Sequence, residues 1–213
     1  MYTIQLRKWL AAALLAFFAL ALVWGMWSLQ SQQHLAGEVI RLHVIADSDS
    51  AEDQRLKLRV RDAVLEQAEQ WLQGVEDRDA AEEILRTRLM DLRDLAAEVV
   101  RSAGYAYEVD AWLTPETYPT RDYGAFSLPG GEYLSLRIVI GEGEGHNWWC
   151  VVYPPLCTAA ATGELEEKAS AAGLSKADIG LITRDGEGCT VRFKSIELWE
   201  KWVGKWSRGP AQT

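Results

Sequence analysis

The chain has 213 residues, with 22 Lys and Arg against 31 Asp and Glu. Two of the basic residues, Arg7 and Lys8, precede a long uncharged run, and the rest of the chain carries 20 basic against 31 acidic residues, a net charge of −11. This acidic body argues against a protein that binds nucleic acid or anionic lipid, because phosphate contacts depend on Lys and Arg.

The uncharged run from Trp9 to Leu29 predicts a membrane segment. Its 21 residues make a helix of about 31 Å, which matches the hydrocarbon core of a bilayer. Positive charge lies only on the N-terminal side, which predicts a cytoplasmic N-terminus and an exported body after Gln30. The run has no clear small-x-small cleavage site, so a cleaved signal peptide and a retained anchor both remain open. We therefore predict a signal or anchor at 1–30, a polar linker at 31–37, one domain at 38–207 and a tail at 208–213.

The first half of the body reads as a strand followed by two helices. Residues 38–46 alternate well and carry apolar side chains on both faces, which favours a central strand. Ser50 with Asp53 resembles a capping box and predicts a helix at 51–73. A second apolar stripe predicts a helix at 79–102, and the short connection predicts an antiparallel helical hairpin.

The second half is mostly extended. We predict a strand at 105–113, an ordered loop at 114–131, and strands at 132–140 and 148–153 that form a hairpin around a glycine loop. Residues 159–172 look weakly helical, 181–184 and 189–194 read as a small hairpin, and Ser195 starts a last helix with a tryptophan stripe. The fold class is therefore α+β, with an antiparallel or mixed sheet covered by the two-helix hairpin.

The stretch 141–157, GEGEGHNWWCVVYPPLC, has the most unusual composition. Cys150 and Cys157 form a disulfide if the Pro154-Pro155 turn brings their Cα atoms within about 4.4–6.8 Å. The odd number of cysteines leaves one thiol over, with an intermolecular bridge as the alternative. His146 beside Cys150 also suggests a Cys-His nucleophile, but no third orienting group is visible. The histidines are scattered and no C-x-x-C pair exists, so neither a zinc site nor any cofactor is predicted.

The glycine loop, the two tryptophans and the nearby aspartates each have a structural interpretation. The loop lacks the Lys-Ser/Thr end of a phosphate loop and has too few ligands for calcium, which leaves a hairpin tip. Trp148 and Trp149 point to opposite faces of a strand, so one belongs to the core and the other suits an interface or a sugar platform. Asp47, Asp49 and Asp53 suit the capping of a helix, with a catalytic acid pair as the alternative.

Two segments together resemble a known family. RLHVIADSDSAEDQRLKLRVRDAV at 41–64 and GEYLSLRIVIGEGEGHNWWCVVYPPLC at 131–157 resemble the stage II sporulation protein R family of endospore-forming bacteria. The resemblance covers 39 to about 206 and includes Arg192-Phe193-Lys194 before the tryptophan-rich helix. Asp47 stands where that family often has Asn.

The resemblance implies an exported signal and not an enzyme. Such a protein leaves the forespore and, in the space between the two membranes, activates a membrane-embedded aspartic protease that processes the early mother-cell sigma factor. The alternative is a wall-active enzyme or a sugar-binding module in the same space. No catalytic residue is assigned. The residues expected to form the activating surface are His146, Asn147, Trp148, Trp149, Pro154 and Pro155. The residues expected to support it or shape the fold are Arg41, Asp49, Asp53 and Gln54.

Overall fold

A mixed four-stranded sheet lies at the centre of the fold, with a layer of structure on each face. A computed structural model describes residues 2–183, so Cys189, the predicted strand at 189–194 and the predicted last helix lie outside the described residues. The predicted α+β class is confirmed. The helices are α1 (Tyr2–Gly37), α2 (Ala51–Leu72), α3 (Arg78–Thr87), α4 (Leu89–Ser102), α5 (Leu156–Thr162), α6 (Leu165–Ala171) and α7 (Lys176–Ile182). The strands are β1 (Ile40–Ile45), β2 (Val109–Tyr118), β3 (Arg121–Asp122), β4 (Ser127–Leu128), β5 (Gly131–Ile140) and β6 (Asn147–Tyr153).

The N-terminal helix α1 runs without a break into the domain. Its segment Leu14–Gly37 is long and apolar enough to cross a membrane, by length and composition. Residues 31–37, predicted as a polar linker, are helical instead. The reason is packing, because Leu35 is fully buried in the domain core and Ala36 packs beside it.

The sheet has the strand order β2-β5-β1-β6. Strand β1 is central, as its apolar faces predicted; it runs parallel to β5 and antiparallel to β6. The predicted β5–β6 hairpin is therefore wrong, because β1 lies between these two strands. The glycine loop (residues 141–145) crosses the end of β1 instead of closing a hairpin.

One face of the sheet, here called the helix face, carries Leu42, Val44, Leu136 and Ile138 and packs against the helices. Buried residues of α2 and α4, including Val60 and Leu92, complete this core. The hairpin is not formed as predicted, since the second helix is divided. Its backbone leaves the helical conformation at Arg88 (φ −98°, ψ 11°), which separates α3 from α4.

The second face, here called the opposite face, is covered in part by the small β3–β4 ribbon and by α5 to α7. Phe126, Leu128, Tyr133 and Val151 are buried there, together with Leu156. Strand β2 extends to Tyr118, so the predicted loop at 114–131 is largely strand and ribbon. An edge position tolerates Pro115 in β2, since one side of an edge strand has no ladder partner.

The last described helix also differs from the prediction. Leu181 and Ile182, expected to open a strand, are the final residues of α7. The helix starts with a capping box in which the Ser175 side chain accepts from the Asp178 backbone N–H and Asp178 bonds back to Ser175. This local signal at the helix start overrides the extended tendency of two apolar residues.

Candidate functional site

The corner where β1 meets α2 is tied to the glycine loop by backbone hydrogen bonds. The backbone N–H of Glu142 donates to Oδ1 of Asp47 at 2.8 Å, and the N–H of Glu144 donates to the Asp47 carbonyl at 3.0 Å. A Cβ atom at Gly141 would lie 2.0 Å from Asp47 Oδ1, and one at Gly145 would lie 2.3 Å from the Ser48 carbonyl. Glycine at these two positions lets the loop backbone lie against the Asp47 side chain and the Ser48 backbone. The loop is therefore fixed to the corner and is not a free hairpin tip.

Asp49 and His146 join the two sides of this corner. The His146 backbone N–H donates to Asp49 Oδ1 at 2.6 Å, and its ring Nδ1 contacts the same oxygen. The hydrogen bond from the His146 side chain lowers the pKa of the exposed Asp49 carboxyl. Both side chains fix the loop while they remain open to solvent.

The buried Lys57 side chain stabilises the corner through hydrogen bonds to both of its sides. This side chain is 3% exposed, and its Nζ donates to the His146 carbonyl at 2.7 Å and to Gln54 Oε1 at 2.6 Å. The Gln54 amide in turn donates to the Ser48 carbonyl at 2.9 Å. Burial lowers the pKa of the Lys57 ammonium. Gln54, expected to support the site, thus acts together with Lys57, which the sequence did not single out as a site residue.

Asp53 lies at the start of α2, whose N-cap is Ser50. Its backbone N–H donates to Ser50 Oγ at 3.1 Å, and its carboxylate accepts from the Ser48 hydroxyl and, at 3.2 Å, from Tyr107. The hydrogen bond from Ser48 makes the largest contribution to the lowered pKa of Asp53. Asp47, Asp49 and Asp53 each accept from different donors, and these hydrogen bonds hold the corner together.

The two tryptophans of β6 point to opposite faces of the sheet. Trp148 pairs with Val44 on the helix face, is 37% exposed, and has the Arg61 guanidinium 4.3 Å from its ring centre. Trp149 pairs with His43 on the opposite face and is partly buried, with the two ring centres 5.9 Å apart. No single flat surface contains both indoles.

A polar cluster lies on the opposite face beside Trp149. His43 Nδ1 donates to Glu116 at 3.1 Å, its Nε2 lies 2.8 Å from Asn147 Oδ1, and Arg137 donates to Glu116 at 3.2 Å. Burial alone would raise the pKa of Glu116, but hydrogen bonds from His43 and Ser135 and the charge of Arg137 outweigh it and lower the pKa to about 2. The Glu116 carboxylate is therefore ionised at neutral pH, and it already accepts hydrogen bonds from His43 and Arg137.

Arg41 is fully buried on the same face, one row below His43. Its guanidinium carbon lies 4.0 Å from the ring centre of Tyr118 and 5.1 Å from that of Tyr133, and its Nη2 donates to the Tyr123 hydroxyl. Within residues 2–183 its Nε and Nη1 have no acceptor. Burial raises the pKa of Tyr133 to about 12, so the Tyr133 hydroxyl beside Arg41 is uncharged at physiological pH.

The Pro154-Pro155 turn lies at the other end of β6 from His146. Pro154 is buried and Pro155 partly buried, and six strand steps of about 3.3 Å separate this end from Asn147. The structure therefore does not bring the two prolines onto one surface with His146, Asn147 and Trp148. They form the turn that leads into α5.

Cys150 and Cys157 form a disulfide, with their Cα atoms 6.3 Å apart. Cys150 is 2% exposed and is bonded to Cys157, so the Cys150 sulfur is not the free thiolate that a His146–Cys150 nucleophile would need. Within the described part of the chain, no group of three or more His, Cys, Asp or Glu side chains is placed to hold a metal ion.

Several residues of the opposite face cannot be identified as neighbours from the sequence alone. They are His43, Trp112, Glu116 and Arg137. The signal was present in part, since polar and charged residues alternate with apolar ones along β2 and β5. The sequence does not show which strands lie next to each other in the sheet.

Comparison with known proteins gives two matches. A family model described as stage II sporulation protein R matches residues 36–163. Stage II sporulation protein R of Bacillus subtilis (strain 168) is 36% identical over 120 residues, which cover 56% of this chain and 54% of the relative. The chain thus spans about half the length of the curated relative it matches, and no solved structure matches it. The family match ends at 163, before the Arg192-Phe193-Lys194 segment.

Proposed function

The chain belongs to the stage II sporulation protein R family, and from this premise we propose that it is an exported signal that activates a membrane-embedded aspartic protease. In this proposal the protein leaves the forespore for the space between the two membranes, either anchored or released. The protease then processes the pro-form of the early mother-cell sigma factor. The observation that carries the proposal is the family match over residues 36–163.

The position of the corner supports a contact role. Strand β1 starts three residues after α1 ends, whereas the corner lies at the far end of β1, about 17 Å away at about 3.3 Å per residue. Asp49 and His146 therefore lie at the end of β1 opposite to the end that follows α1. A signal that leaves one membrane and acts on a protein in another needs a contact surface away from its own membrane.

The alternative, a wall-active enzyme or a sugar-binding module, has less support. Such a site needs tryptophans that line a cleft with converging carboxylates. Here Trp148 and Trp149 diverge to opposite faces, and Glu116 is occupied by His43 and Arg137. A tied surface of this kind suits recognition better than acid-base chemistry.

The test is reconstitution in a non-sporulating host. The full chain is co-expressed with the candidate protease and the pro-sigma factor, and the processed fraction is read by immunoblot. We expect processing with the exported wild-type chain and none when residues 2–29 are removed, because the body then stays in the cytoplasm while the buried end of α1, including Leu35, is kept. If the folded, exported wild-type chain gives no processing, the proposed function is wrong.

A double variant tests the surface. Trp148→Ala/Trp149→Ala should lower processing by about tenfold or more, because aromatic side chains carry much of the binding energy at interfaces. Export and protease resistance of the variant are measured in parallel. A variant that folds, exports and signals like wild type contradicts this part of the proposal.

A further inference from the structure

One row of side chains crosses the whole sheet on the opposite face. The strand register places Trp112 of β2 next to Arg137 of β5, His43 of β1 next to Arg137, and Trp149 of β6 next to His43. Trp112 is 45% exposed and the Arg137 side chain 40% exposed. Here this set of four is called the cross-strand row. It has polar atoms at its centre and an indole at each end.

At the centre of the row the one carboxylate already accepts several hydrogen bonds. Glu116 accepts from His43, Arg137 and Tyr118 at 3.1–3.2 Å. By contrast, Arg137 Nε is buried and has no acceptor among the described residues.

A second arginine adds positive charge to the same end of the row. The Arg121 guanidinium lies 5.1 Å from the ring centre of Trp149, and Arg121 is exposed. Within residues 2–183 no carboxylate lies in ion-pair distance of Arg121; Arg61, which covers Trp148 on the helix face, already pairs with Asp62 at 2.6 Å. The free cationic group thus lies on the side of Trp149 and not of Trp148.

These features are unusual for this chain, whose body has a net charge of −11. An arginine over an indole face offers hydrogen-bond donors in a fixed plane, and such a plane matches the two oxygens of a carboxylate. The exposed indole of Trp112 and the partly buried indole of Trp149 offer apolar area at low entropic cost. The chemistry that fits is an acidic polypeptide segment with Asp or Glu next to apolar side chains.

We propose that the cross-strand row, with Arg121, is the surface that receives the partner, and that the partner presents an acidic segment to it. This rests on the proposed function and narrows it, because it assigns the contact to the face that carries Trp149. Asn147 lies at the edge of the row through its contact with His43. The corner with Asp49 and His146 then acts to hold Asn147 and Trp149 in place.

The test uses the same processing assay and full-length variants. Trp112→Ala and Arg121→Glu should each lower the processed fraction about tenfold or more. The matched controls are Met90→Ala, which removes an apolar side chain that is 53% exposed on α4, and Arg55→Glu, which reverses an exposed charge on α2. Both controls should stay within about twofold of wild type, since neither residue lies near the row. Exported amount and protease resistance are measured for each variant.

A direct binding measurement identifies the ligand class. The purified full chain in non-ionic detergent is titrated with a hexaglutamate peptide and, separately, with chitohexaose, while tryptophan fluorescence is followed. We expect a saturable change with hexaglutamate that Arg121→Glu abolishes, and none with chitohexaose. A response to chitohexaose alone overturns the acidic-segment proposal in favour of a glycan.

The outcomes separate this inference from the function on which it rests. If wild type triggers processing and Trp112→Ala and Arg121→Glu do so equally well, the row is wrong and the proposed function remains. If wild type triggers no processing, the function fails and the row loses its partner with it.

Discussion

The two faces of the central sheet are built from the same strands but in different ways. On the helix face, β1 contributes Leu42 and Val44 to an apolar core closed by α2 and α4. On the opposite face, the alternate residues of the same strand are Arg41 and His43, set among tyrosines, Glu116 and Arg137. The helix face supplies most of the buried apolar area that stabilises the fold, whereas the opposite face is polar at a place where packing alone would not require it.

The sharpest test of this contrast uses two adjacent residues of β1. Leu42→Ala should lower the free energy of unfolding by about 3 kcal/mol, because a fully buried side chain leaves a cavity. Arg41→Met should change it by less than about 1 kcal/mol, since methionine removes a buried charge whose Nε and Nη1 lack acceptors and keeps much of the volume. Urea unfolding of the full chain in detergent, followed by tryptophan fluorescence, measures both. Equal losses would show that the opposite face depends on its arginine as much as the helix face depends on its leucine.

The second test concerns the anchor under the corner. Lys57→Met should lower the free energy of unfolding by about 2 kcal/mol, because the His146 carbonyl and the Gln54 amide oxygen lose their donor. Lys168→Met, at an exposed position of α6, is the control and should change it by less than about 0.5 kcal/mol. Hydrogen exchange of the His146 and Asn147 amides should also accelerate in Lys57→Met alone. Unchanged exchange at these amides would mean that Lys57 does not hold the loop.

The smallest expected effect, and the most specific, is at Glu116. Its pKa is lowered from 4.5 to about 2 in the folded protein, so its contribution to stability is present above pH 4.5 and is lost as the pH falls towards 2. Glu116→Gln should cost about 1.5 kcal/mol at neutral pH and should flatten the fall in stability between these values. Glu132→Gln, at an exposed position of β5, is the control. Parallel pH profiles for wild type and Glu116→Gln would contradict the assignment.

Local patterns predicted strand β1 and the start of helix α2, although they missed the division between α3 and α4. The alternation in 38–46 gave β1 and its central place, and Ser50 with Asp53 gave the start of α2, where Ser50 is the N-cap. Both features depend on residues that are close in sequence: β1 on the periodicity of its side chains, and the start of α2 on its N-cap. The resemblance to the family, carried by the segments at 41–64 and 131–157, agrees with the family match over 36–163.

The pairing of strands could not be predicted in the same way. A glycine loop between two apolar strands is typical of a hairpin, and here it crosses the end of a third strand instead. The signal for this lies in Asp47 and Asp49, whose carboxylates accept from the backbone of residues 142 and 146, about a hundred residues away in sequence. Since the cross-strand row exists only through this pairing, Trp112 and Arg137 could not have been linked to Trp149 from the sequence.

The unbroken course of α1 determines how the domain would stand above a membrane. The 36 residues of α1 make a rod of about 54 Å, of which the run from Trp9 to Leu29 accounts for about 31 Å, enough to cross a bilayer. The eight residues from Gln30 to Gly37 continue the same rod by about 12 Å, so the start of β1 stands about 12 Å above the hydrocarbon core if α1 crosses the bilayer upright. A domain held in this way searches for a partner in two dimensions. A partner in a facing membrane then meets it only where the gap between the membranes closes to the combined height of the two proteins.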